Sequence, residues 1–344
     1  MQNEIPAATG PHRNHPMNEK SPTVGASGVV YVGIDVAKET LAVFADGVFE
    51  NEIKNTKKDI ARLAHQLRKS FGKTSKIRFA MESTGPYSLP IHLELNRLGE
   101  EVCVLHSTSV RLYAKAIGIL AKTDKIDART IAVYAADRDC EPTPVPPETV
   151  LRLRETLRCR NLLTKIRTMV MTLRLLPHGN PTCRMVLAKV ERFLENQIKI
   201  LDRGMLELSK GDDRIHRVSS ELEKLPGVGT ITAISVAVLA PELGSLGRRR
   251  AAGLAGLAPI AKESGMYKGL RTIGGGRSDL RRVLYMSALS ALKWDPVIKA
   301  FFDRLVHEKK KKPKVAITAC MRKMFVHMDR VIADLDESSK KVSP

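Results

Sequence analysis

The order of strand-like and helix-like segments in the N-terminal part of the chain constrains the fold more than any other feature of the sequence. Five short segments rich in apolar and β-branched residues predict strands, namely 29–36, 41–47, 49–55, 76–82 and 101–106. Segments with helical periodicity separate or follow them, namely 55–71, 86–98, 109–119 and 124–137. Strands that are connected through helices run parallel. The sequence therefore predicts an α/β domain in which the later strands are parallel.

This order of elements is that of a ribonuclease-H-like fold, to which RuvC-like domains belong. In such a sheet the first and fourth strands are neighbours, so Asp35 in the first strand would lie beside Glu82 at the end of the fourth. A carboxylate inside an apolar strand is costly unless it is paired or binds a metal. Asp124 and Asp127, in KTDKIDA, open a helix three residues apart. Their side chains therefore face the same way, with Cβ atoms about 5–6 Å apart.

These four carboxylates predict a metal site. They would repel one another at one edge of the sheet, and a hard cation such as Mg²⁺, which prefers oxygen ligands, relieves that repulsion. Two such ions about 3.5–4 Å apart can hold the attacking and leaving oxygens of a phosphodiester. Each acid also has a structural interpretation: Asp124 as a helix N-cap, Asp127 as its first-turn partner and Glu82 as a surface group. Asp35 is harder to explain in that way, and the joint pattern favours a functional site.

The charge balance indicates an anionic partner. The chain has 57 Lys and Arg against 37 Asp and Glu, a net charge of +20. Nucleic acid is favoured over acidic lipid because Lys and Arg neutralise backbone phosphates with release of counterions. Aromatic residues make up only 4%, so base stacking is not the main binding device. The five scattered cysteines form no CxxC pair, which argues against disulfides and zinc and fits a bacterial cytoplasm. No apolar run is long enough to cross a membrane.

Composition divides the chain into five parts. Residues 1–28 are rich in Pro, Asn, His, Gly and Ser, and are predicted to be disordered rather than a signal peptide. Residues 29–141 form the predicted catalytic domain, and 142–220 contain a stiff PTPVPP linker followed by two long helices. Residues 221–336 are predicted to be a mostly helical domain, and 337–344 a tail.

The two long helices of the middle region predict a helical hairpin. The second helix is expected from Arg184 to Lys210, after a break at Pro177 to Pro181. The first helix has a heptad seam, made of Leu162, Ile166, Met169, Leu173 and Leu176. A coiled-coil arm and two ordinary bundle helices explain this pattern equally well.

The C-terminal region contains candidate contacts to nucleic acid. In LPGVG, Gly227 and Gly229 would let backbone N–H groups approach a phosphate at a helix N-terminus, as in a helix-hairpin-helix turn, although a packing turn explains them equally well. Ser264 lies in a turn-forming ESG, and an exposed serine among cations could receive a phosphate. On spacing alone it is an ordinary turn serine. The candidate basic contacts of this region are Lys262, Lys268, Arg271, Arg277, Arg281 and Arg282. In the first domain, Lys122 is a further candidate phosphate contact, although a solvated lysine is the favoured explanation.

Five motifs in order, YVGIDVAKET, AMESTGPY, AKTDKIDA, LPGVGTITA and LAGLAPIAKESG, resemble one family. It is the insertion-sequence transposases with a DEDD catalytic domain, which are relatives of the pilin-gene inversion recombinase. The resemblance covers about 29–336. The chain departs from the family pattern in its run of glycines at 274–276 and in its N-terminal extension.

The resemblance implies a function and assigns roles to residues. The family's four acids bind Mg²⁺ in a RuvC-like domain and match Asp35, Glu82, Asp124 and Asp127, while its catalytic serine matches Ser264. It implies a DNA recombinase whose composite site is assembled from two subunits, as a homodimer that assembles to a tetramer. Some members are guided by a bridge RNA, so we expect DNA and an RNA of this kind as partners.

Three other functions are compatible with parts of the sequence. A RuvC-like Mg²⁺-dependent endonuclease would use water as the nucleophile, and Ser264 would then be structural. A DNA-binding or bridging protein without activity would use the acids as caps. The segment GIDVAKET can also begin a sugar kinase or an actin-like ATPase, but the chain has no second Gly-rich phosphate loop after a matching strand, and its charge is +20.

Overall fold

A computed structural model of the chain describes residues 23–72, 75–83, 85, 87–176, 180–261, 263–264, 267–269 and 271–342. The chain divides into two compact units, 1–145 and 146–344. The division falls within the predicted PTPVPP linker. Within the described residues, no helix is long and apolar enough to cross a membrane.

The first unit is built on a mixed five-stranded sheet. Its strands are β1 (Val30–Val36), β2 (Thr40–Ala45), β3 (Phe49–Lys54), β4 (Ile77–Glu82) and β5 (Glu101–Leu105). Their order in the sheet is β3-β2-β1-β4-β5. The first three strands form an antiparallel meander, and β4 and β5 run parallel to β1. The predicted α/β class, the adjacency of the first and fourth strands and the parallel later strands are confirmed.

Helices cover both faces of this sheet. They are α1 (Lys57–Phe71), α2 (Ser88–Arg97), α3 (Ser107–Ala116) and α4 (Asp124–Asp137). Side chains alternate along a strand, so Val32 and Ile34 face the cluster formed with α1 and α2. Tyr31 faces the opposite cluster, which contains residues of α3 and α4. Gly33 and Asp35 share the face of Tyr31, and this places Asp35 on the side of α4.

Ordered structure begins earlier than the sequence predicts. Thr23 is buried, and its carbonyl oxygen accepts a hydrogen bond of 2.8 Å from the backbone N–H of Tyr31. Val24 forms an antiparallel bridge with Val30. The segment before Val29 therefore folds back along β1 as a hairpin, which its Gly and Ser content concealed. Residues 1–22 lie outside the described residues.

The second unit begins with an antiparallel helical hairpin, α5 (Glu148–Arg174) and α6 (Pro181–Lys210). Ion pairs between Arg160 and Asp202 and between Arg174 and Glu191 connect the two helices. α6 begins three residues before the predicted start because Pro181 occupies its first turn and Asn180 caps it. Proline is well accommodated there, since that N–H has no helical partner.

The predicted heptad seam does not form the contact between these two helices. Its five side chains are between 37% and 58% exposed. Val186, Val190 and Phe193 of α6 are exposed as well, and their spacing places them on one face of that helix. The pattern that predicted a coiled coil therefore marks a face that is open within one chain.

The remainder of the second unit is mostly helical, as predicted. Its helices are α7 (Asp213–Glu223), α8 (Thr230–Leu239), α9 (Gly247–Leu254), α10 (Ser278–Trp294), α11 (Pro296–Asp303) and α12 (Pro313–Val342). Four two-residue strands lie between α9 and α10, namely β6 (Pro259–Ile260), β7 (Glu263–Ser264), β8 (Tyr267–Lys268) and β9 (Thr272–Ile273). α12 continues to Val342, so a helix replaces most of the predicted tail.

Candidate active site

Gly33 is a point of close approach between β1 and α4. A Cβ atom at this position would lie 2.0 Å from the carbonyl oxygen of Ala128 and 2.7 Å from the backbone nitrogen of Ala132, so only glycine fits. Asp35 follows two residues later on the same face. It is paired across the sheet with Ala42, which belongs to the same small cluster as Ala128 and Ala132. Asp35 is therefore directed towards α4.

The direction of α4 determines which of its residues reach Asp35. Ile131 packs with Tyr31 near the start of β1, whereas Ala128, almost one turn earlier in the helix, packs at the middle of the strand. The helix thus runs antiparallel to β1. Its first turn, which carries Asp124 and Asp127, lies towards the carboxyl end of the strand.

Glu82 reaches the same edge of the sheet from β4. The parallel register pairs Ile34 with Met81, and Asp35 and Glu82 each follow these partners by one residue. Three elements, β1, β4 and α4, therefore bring four carboxylates to the same edge of the sheet. The neighbourhood that strand order predicted for Asp35 and Glu82 is present in the structure.

The accumulated negative charge perturbs Asp35. Burial raises the pKa of this half-buried carboxyl to about 6, and repulsion from Asp127, Asp124 and Glu82 contributes to the same increase. A pKa this high means that ionising Asp35 is unfavourable among its three neighbours. Perturbed groups of this kind are concentrated at functional sites.

Asp127 is influenced by charges of both signs. Burial is the main cause that raises its pKa, and Asp124 acts in the same direction. Lys122 and Arg111 oppose this effect because positive charge stabilises the ionised carboxylate. Lys122 was predicted as a phosphate contact and lies exposed at this edge. Arg111, on α3, was missed by sequence reasoning because no spacing rule connects that helix to the acids.

The helix N-cap interpretation of Asp124 is wrong. Thr123 caps α4, and its hydroxyl accepts a hydrogen bond of 3.3 Å from the backbone N–H of Ile126. Asp124 is the first helical residue and is exposed. Its carboxylate is therefore not used as a cap.

The chemistry of these residues fits a hard divalent cation, because all four groups offer carboxylate oxygens. Burial is the main cause of the raised pKa of Asp35, and the negative charges of Asp127, Asp124 and Glu82 add to it, so a cation would be favourable beside Asp35. Among the described residues, however, no three His, Cys, Asp or Glu side chains converge closely enough to hold a metal ion in their present conformations. The four acids therefore share an edge without forming a closed ligand cage.

Ser264 belongs to the second unit. It lies in β7, where it pairs with Tyr267 of β8 in a two-stranded hairpin, and it is exposed. Within the described residues its hydroxyl has no hydrogen-bond partner. The neighbouring Glu263 forms an ion pair of 3.1 Å with Arg271. An exposed hydroxyl beside a charged pair is accessible to a ligand.

Two family models match the chain. One, described as a transposase and named for IS110 and the DEDD motif, matches residues 32–175. The other, described as the transposase IS116/IS110/IS902 family, matches residues 219–303. The chain belongs to the IS110 family of transposases. It is therefore a DNA transposase or recombinase, as the motifs predicted.

Curated relatives agree with this assignment. The pilin gene-inverting protein of Moraxella bovis is 26% identical over 324 residues, which is 91% of this chain and 98% of that protein. The protein of the same name from Moraxella lacunata is 25% identical over the same shares. An uncharacterized 43.6 kDa protein of insertion element IS110 from Streptomyces coelicolor is 34% identical over 91 residues, 26% of this chain and 22% of that protein.

The two glycines of LPGVG differ in their surroundings in the transposase. A Cβ atom on Gly227, whose φ is +83°, would lie 2.6 Å from the Cα of Ala291. The carbonyl oxygen of Gly227 accepts a hydrogen bond of 3.0 Å from the hydroxyl of Ser287. Packing against α10 therefore explains the glycine at 227. Gly229 precedes α8, and a Cβ there would meet open space. A phosphate contact at either glycine stays a prediction.

Several arginines predicted to contact nucleic acid are engaged inside the transposase. Arg277 forms a two-pronged ion pair with Glu242, at 2.7 and 2.6 Å, and donates to the carbonyl oxygen of Leu239. Arg281 donates to the carbonyl oxygens of Ala255 and Gly275. These two guanidinium groups hold the Gly-rich loop and its neighbours in place, and this role needs no nucleic acid.

Two other predicted cations, both arginines, are more accessible. Arg271 and Arg282 are 64% and 60% exposed and pair with nearby acids. Lys268 lies in β8, and Lys262 lies outside the described residues. The transposase also exposes Arg248 to Arg250 in the first turn of α9, which sequence reasoning did not single out. A run of three arginines was the available signal.

Proposed function

We propose that this transposase cuts and rejoins the DNA strands of an insertion sequence through a serine–DNA covalent intermediate, at a RuvC-like site of ribonuclease-H type that uses Mg²⁺. One observation carries the metal-dependent part of the proposal. Four carboxylates share one edge of a sheet with the predicted strand order, where burial and then the charges of the other three raise the pKa of Asp35. In phosphoryl transfer, metal ions held by such carboxylates stabilise the attacking and leaving oxygens of the phosphodiester.

Asp35, Glu82, Asp124 and Asp127 are the residues that would hold Mg²⁺. When bound, Mg²⁺ polarises the phosphate and stabilises the negative charge of the leaving oxygen. The acids themselves position the phosphodiester, and one of them accepts a proton. Lys122 and Arg111 act on Asp127 by opposing the rise in its pKa, and they therefore favour the ionised form that binds a cation.

Ser264 is the proposed nucleophile. Its Oγ forms a bond to phosphorus, the bond from phosphorus to one deoxyribose oxygen breaks, and that oxygen leaves with a proton. The Oγ proton passes to a carboxylate, because a serine hydroxyl is a weak nucleophile without a base. The phosphoserine linkage keeps the phosphoester bond, so attack by another DNA hydroxyl rejoins strands without ATP. In this proposal Ser264 of one subunit serves the acids of another.

Three observations support the proposed partners. The net charge of +20 favours DNA. The exposed apolar residues along α5 and α6 favour a homodimer that assembles to a tetramer, because contiguous apolar faces of long helices pair in water. The resemblance to a family with RNA-guided members supports a bridge RNA, in which base pairing would select the DNA and the protein would contact duplex shape and phosphates.

The decisive experiment is a cleavage and trapping assay with DNA that carries the junction of the element. Wild-type protein, with any RNA that copurifies, is incubated with Mg²⁺ and quenched in denaturant. We expect a protein–DNA adduct that is lost in Ser264→Ala and in Asp124→Asn. Ser278→Ala is the matched control, since Ser278 is an exposed serine of the same unit.

Cut ends without an adduct, unchanged in Ser264→Ala but lost in Asp124→Asn, would identify a water-using nuclease of RuvC type. Strand exchange that is unaffected by chelation of Mg²⁺ would contradict the metal-dependent part.

A further inference from the structure

A short loop between α11 and α12 carries the densest positive charge in the described chain. Five lysines occur within six residues, Lys309 to Lys312 and Lys314, and we call this segment the lysine loop. It follows a five-residue π-helix, Arg304–Glu308, and continues into the first turn of α12, which begins at Pro313. The proposed function makes no use of it.

We propose that the lysine loop binds the phosphate backbone of duplex DNA and anchors the second unit of the transposase on it. This inference rests on the proposed function only in taking DNA as the substrate. Its first support is accessibility. Every residue from His307 to Val315 is exposed, and within the described residues none of the five lysines forms an ion pair. Most arginines predicted from the sequence as DNA contacts, by contrast, are already paired.

The second support is that the loop backbone is fixed. The backbone N–H of Lys309 donates to the carbonyl oxygen of Arg304 at 3.1 Å, and that of Lys311 donates to Leu305 at 2.9 Å. Lys310 has φ of +48°, a conformation that residues with side chains rarely adopt. Glycine would adopt this conformation with less strain, yet the residue at this position is a positively charged lysine. Residues held in such conformations occur at ligand-binding sites more often than elsewhere.

The third support is the surroundings of the loop. The π-helix that leads into it is a rare element, found often at functional sites. Arg304 and Lys323 both lie over the ring of Phe301, at 5.4 and 4.9 Å from its centroid, and are further cations beside the loop. The N-terminus of α12 adds the positive end of a long helix dipole. Glu308 is the one acid next to the lysines in sequence.

The chemistry favours backbone phosphates of a duplex over other anions. Lysine ammonium groups act as point charges without the planar geometry that reads base edges. The loop contains no aromatic side chain on which an unpaired base could stack. A row of regularly spaced phosphates can satisfy several lysines at once, and this releases counterions from the DNA.

The test is the salt dependence of binding to a labelled DNA duplex, measured with the full chain carrying Ser264→Ala and in EDTA, so that neither the serine nor a metal-activated water can cleave the DNA. Lys309 to Lys312 are changed together to Gln in one variant and to Arg in another. The control changes four exposed lysines of the first unit to Gln, namely Lys54, Lys57, Lys58 and Lys69. The control removes the same net charge from a different place.

We expect the Gln variant of the loop to lose affinity by at least about tenfold at 0.1 M salt. The slope of log affinity against log salt should become less steep by up to about 3.6, which is about 0.9 for each of the four lysines. The Arg variant should behave as the starting protein. Equal flattening in the control would show that net charge alone matters and would overturn the inference. So would an unchanged slope, or a loss confined to duplex RNA or to vesicles of phosphatidylserine.

Failure of this inference is distinguishable from failure of the proposed function. If the adduct forms but the slope is unchanged in the Gln variant, only the lysine loop is misassigned. If no adduct forms but the slope flattens in the Gln variant, the DNA contact of the lysine loop is supported and the proposed serine chemistry is contradicted.

Discussion

Replacing Asp35 with Asn should stabilise the metal-free transposase at neutral pH. Asp35 is ionised there at the expense of burial and of repulsion from three neighbouring acids, which together raise its pKa to about 6. The amide of Asn carries no charge to repel. Because the folded pKa lies above the ordinary value of 3.8, the folded state binds more protons than the unfolded state between these two pH values. The stability of the wild type therefore falls as pH rises through this window.

The size of the effect follows from the shift. One pKa unit corresponds to about 1.4 kcal/mol, so the full shift would give about 3 kcal/mol. The carboxyl is partly open to solvent, which screens the repulsion, and we expect about 1 kcal/mol to remain. For a domain the size of the first unit, this corresponds to an increase in Tm of about 4 °C. At pH 4 the difference in Tm should be small, because Asp35 is then neutral in the folded state and only about half ionised in the unfolded state, and it should vanish below pH 3.8.

The assay is scanning calorimetry of the full chain in EDTA, at pH 4 and pH 8. Adding Mg²⁺ at pH 8 should raise the Tm of the wild type more than that of Asp35→Asn, because the wild type offers one more carboxylate ligand. A variant that is destabilised to the same degree at both pH values would refute the reasoning. Asp35 would then be a structural residue whose loss disturbs packing.

Two further predictions concern packing and charge. Gly33→Ala should destabilise the first unit by about 1–3 kcal/mol in urea unfolding, because its Cβ would overlap the backbone of α4. Gly204→Ala, in α6 where a Cβ meets open space, should instead stabilise the chain by about 0.5–1 kcal/mol, and equal effects would contradict this explanation. Arg277→Ala should destabilise the second unit by about 1–2 kcal/mol, because it breaks the pair with Glu242. Arg282→Ala should change stability by less than about 0.5 kcal/mol, and DNA binding measured on both variants shows whether Arg277 has any role beyond the fold.

The first unit could be predicted largely from the sequence because its signals are local. Alternating and β-branched segments indicated the strands, and their ribonuclease-H-like order predicted that β1 and β4 are neighbours, as they are. The position of a charged residue inside an apolar strand was enough to single out Asp35. The predicted helix over 124–137 matches α4, because Thr123 caps it and the acids occupy its first turn.

Tertiary contacts decided what the sequence could not. Gly227 looks like a phosphate-binding glycine, but its close contact with Ala291 depends on a helix more than sixty residues away in the chain. The heptad seam of α5 predicted a buried contact, yet those side chains are exposed because α6 packs on other residues. Arg111 reaches Asp127 only because α3 folds beside α4.

The central claim is that a serine of this chain becomes bonded to DNA. The most direct measurement is tandem mass spectrometry of the quenched wild-type reaction after digestion with protease and nuclease, to identify the residue that carries the phosphonucleotide. The account predicts a nucleotide on Ser264, present only when Mg²⁺ is added. A nucleotide on a different residue, or cleaved DNA with no modified peptide and with oxygen from labelled water in its terminal phosphate, would contradict it.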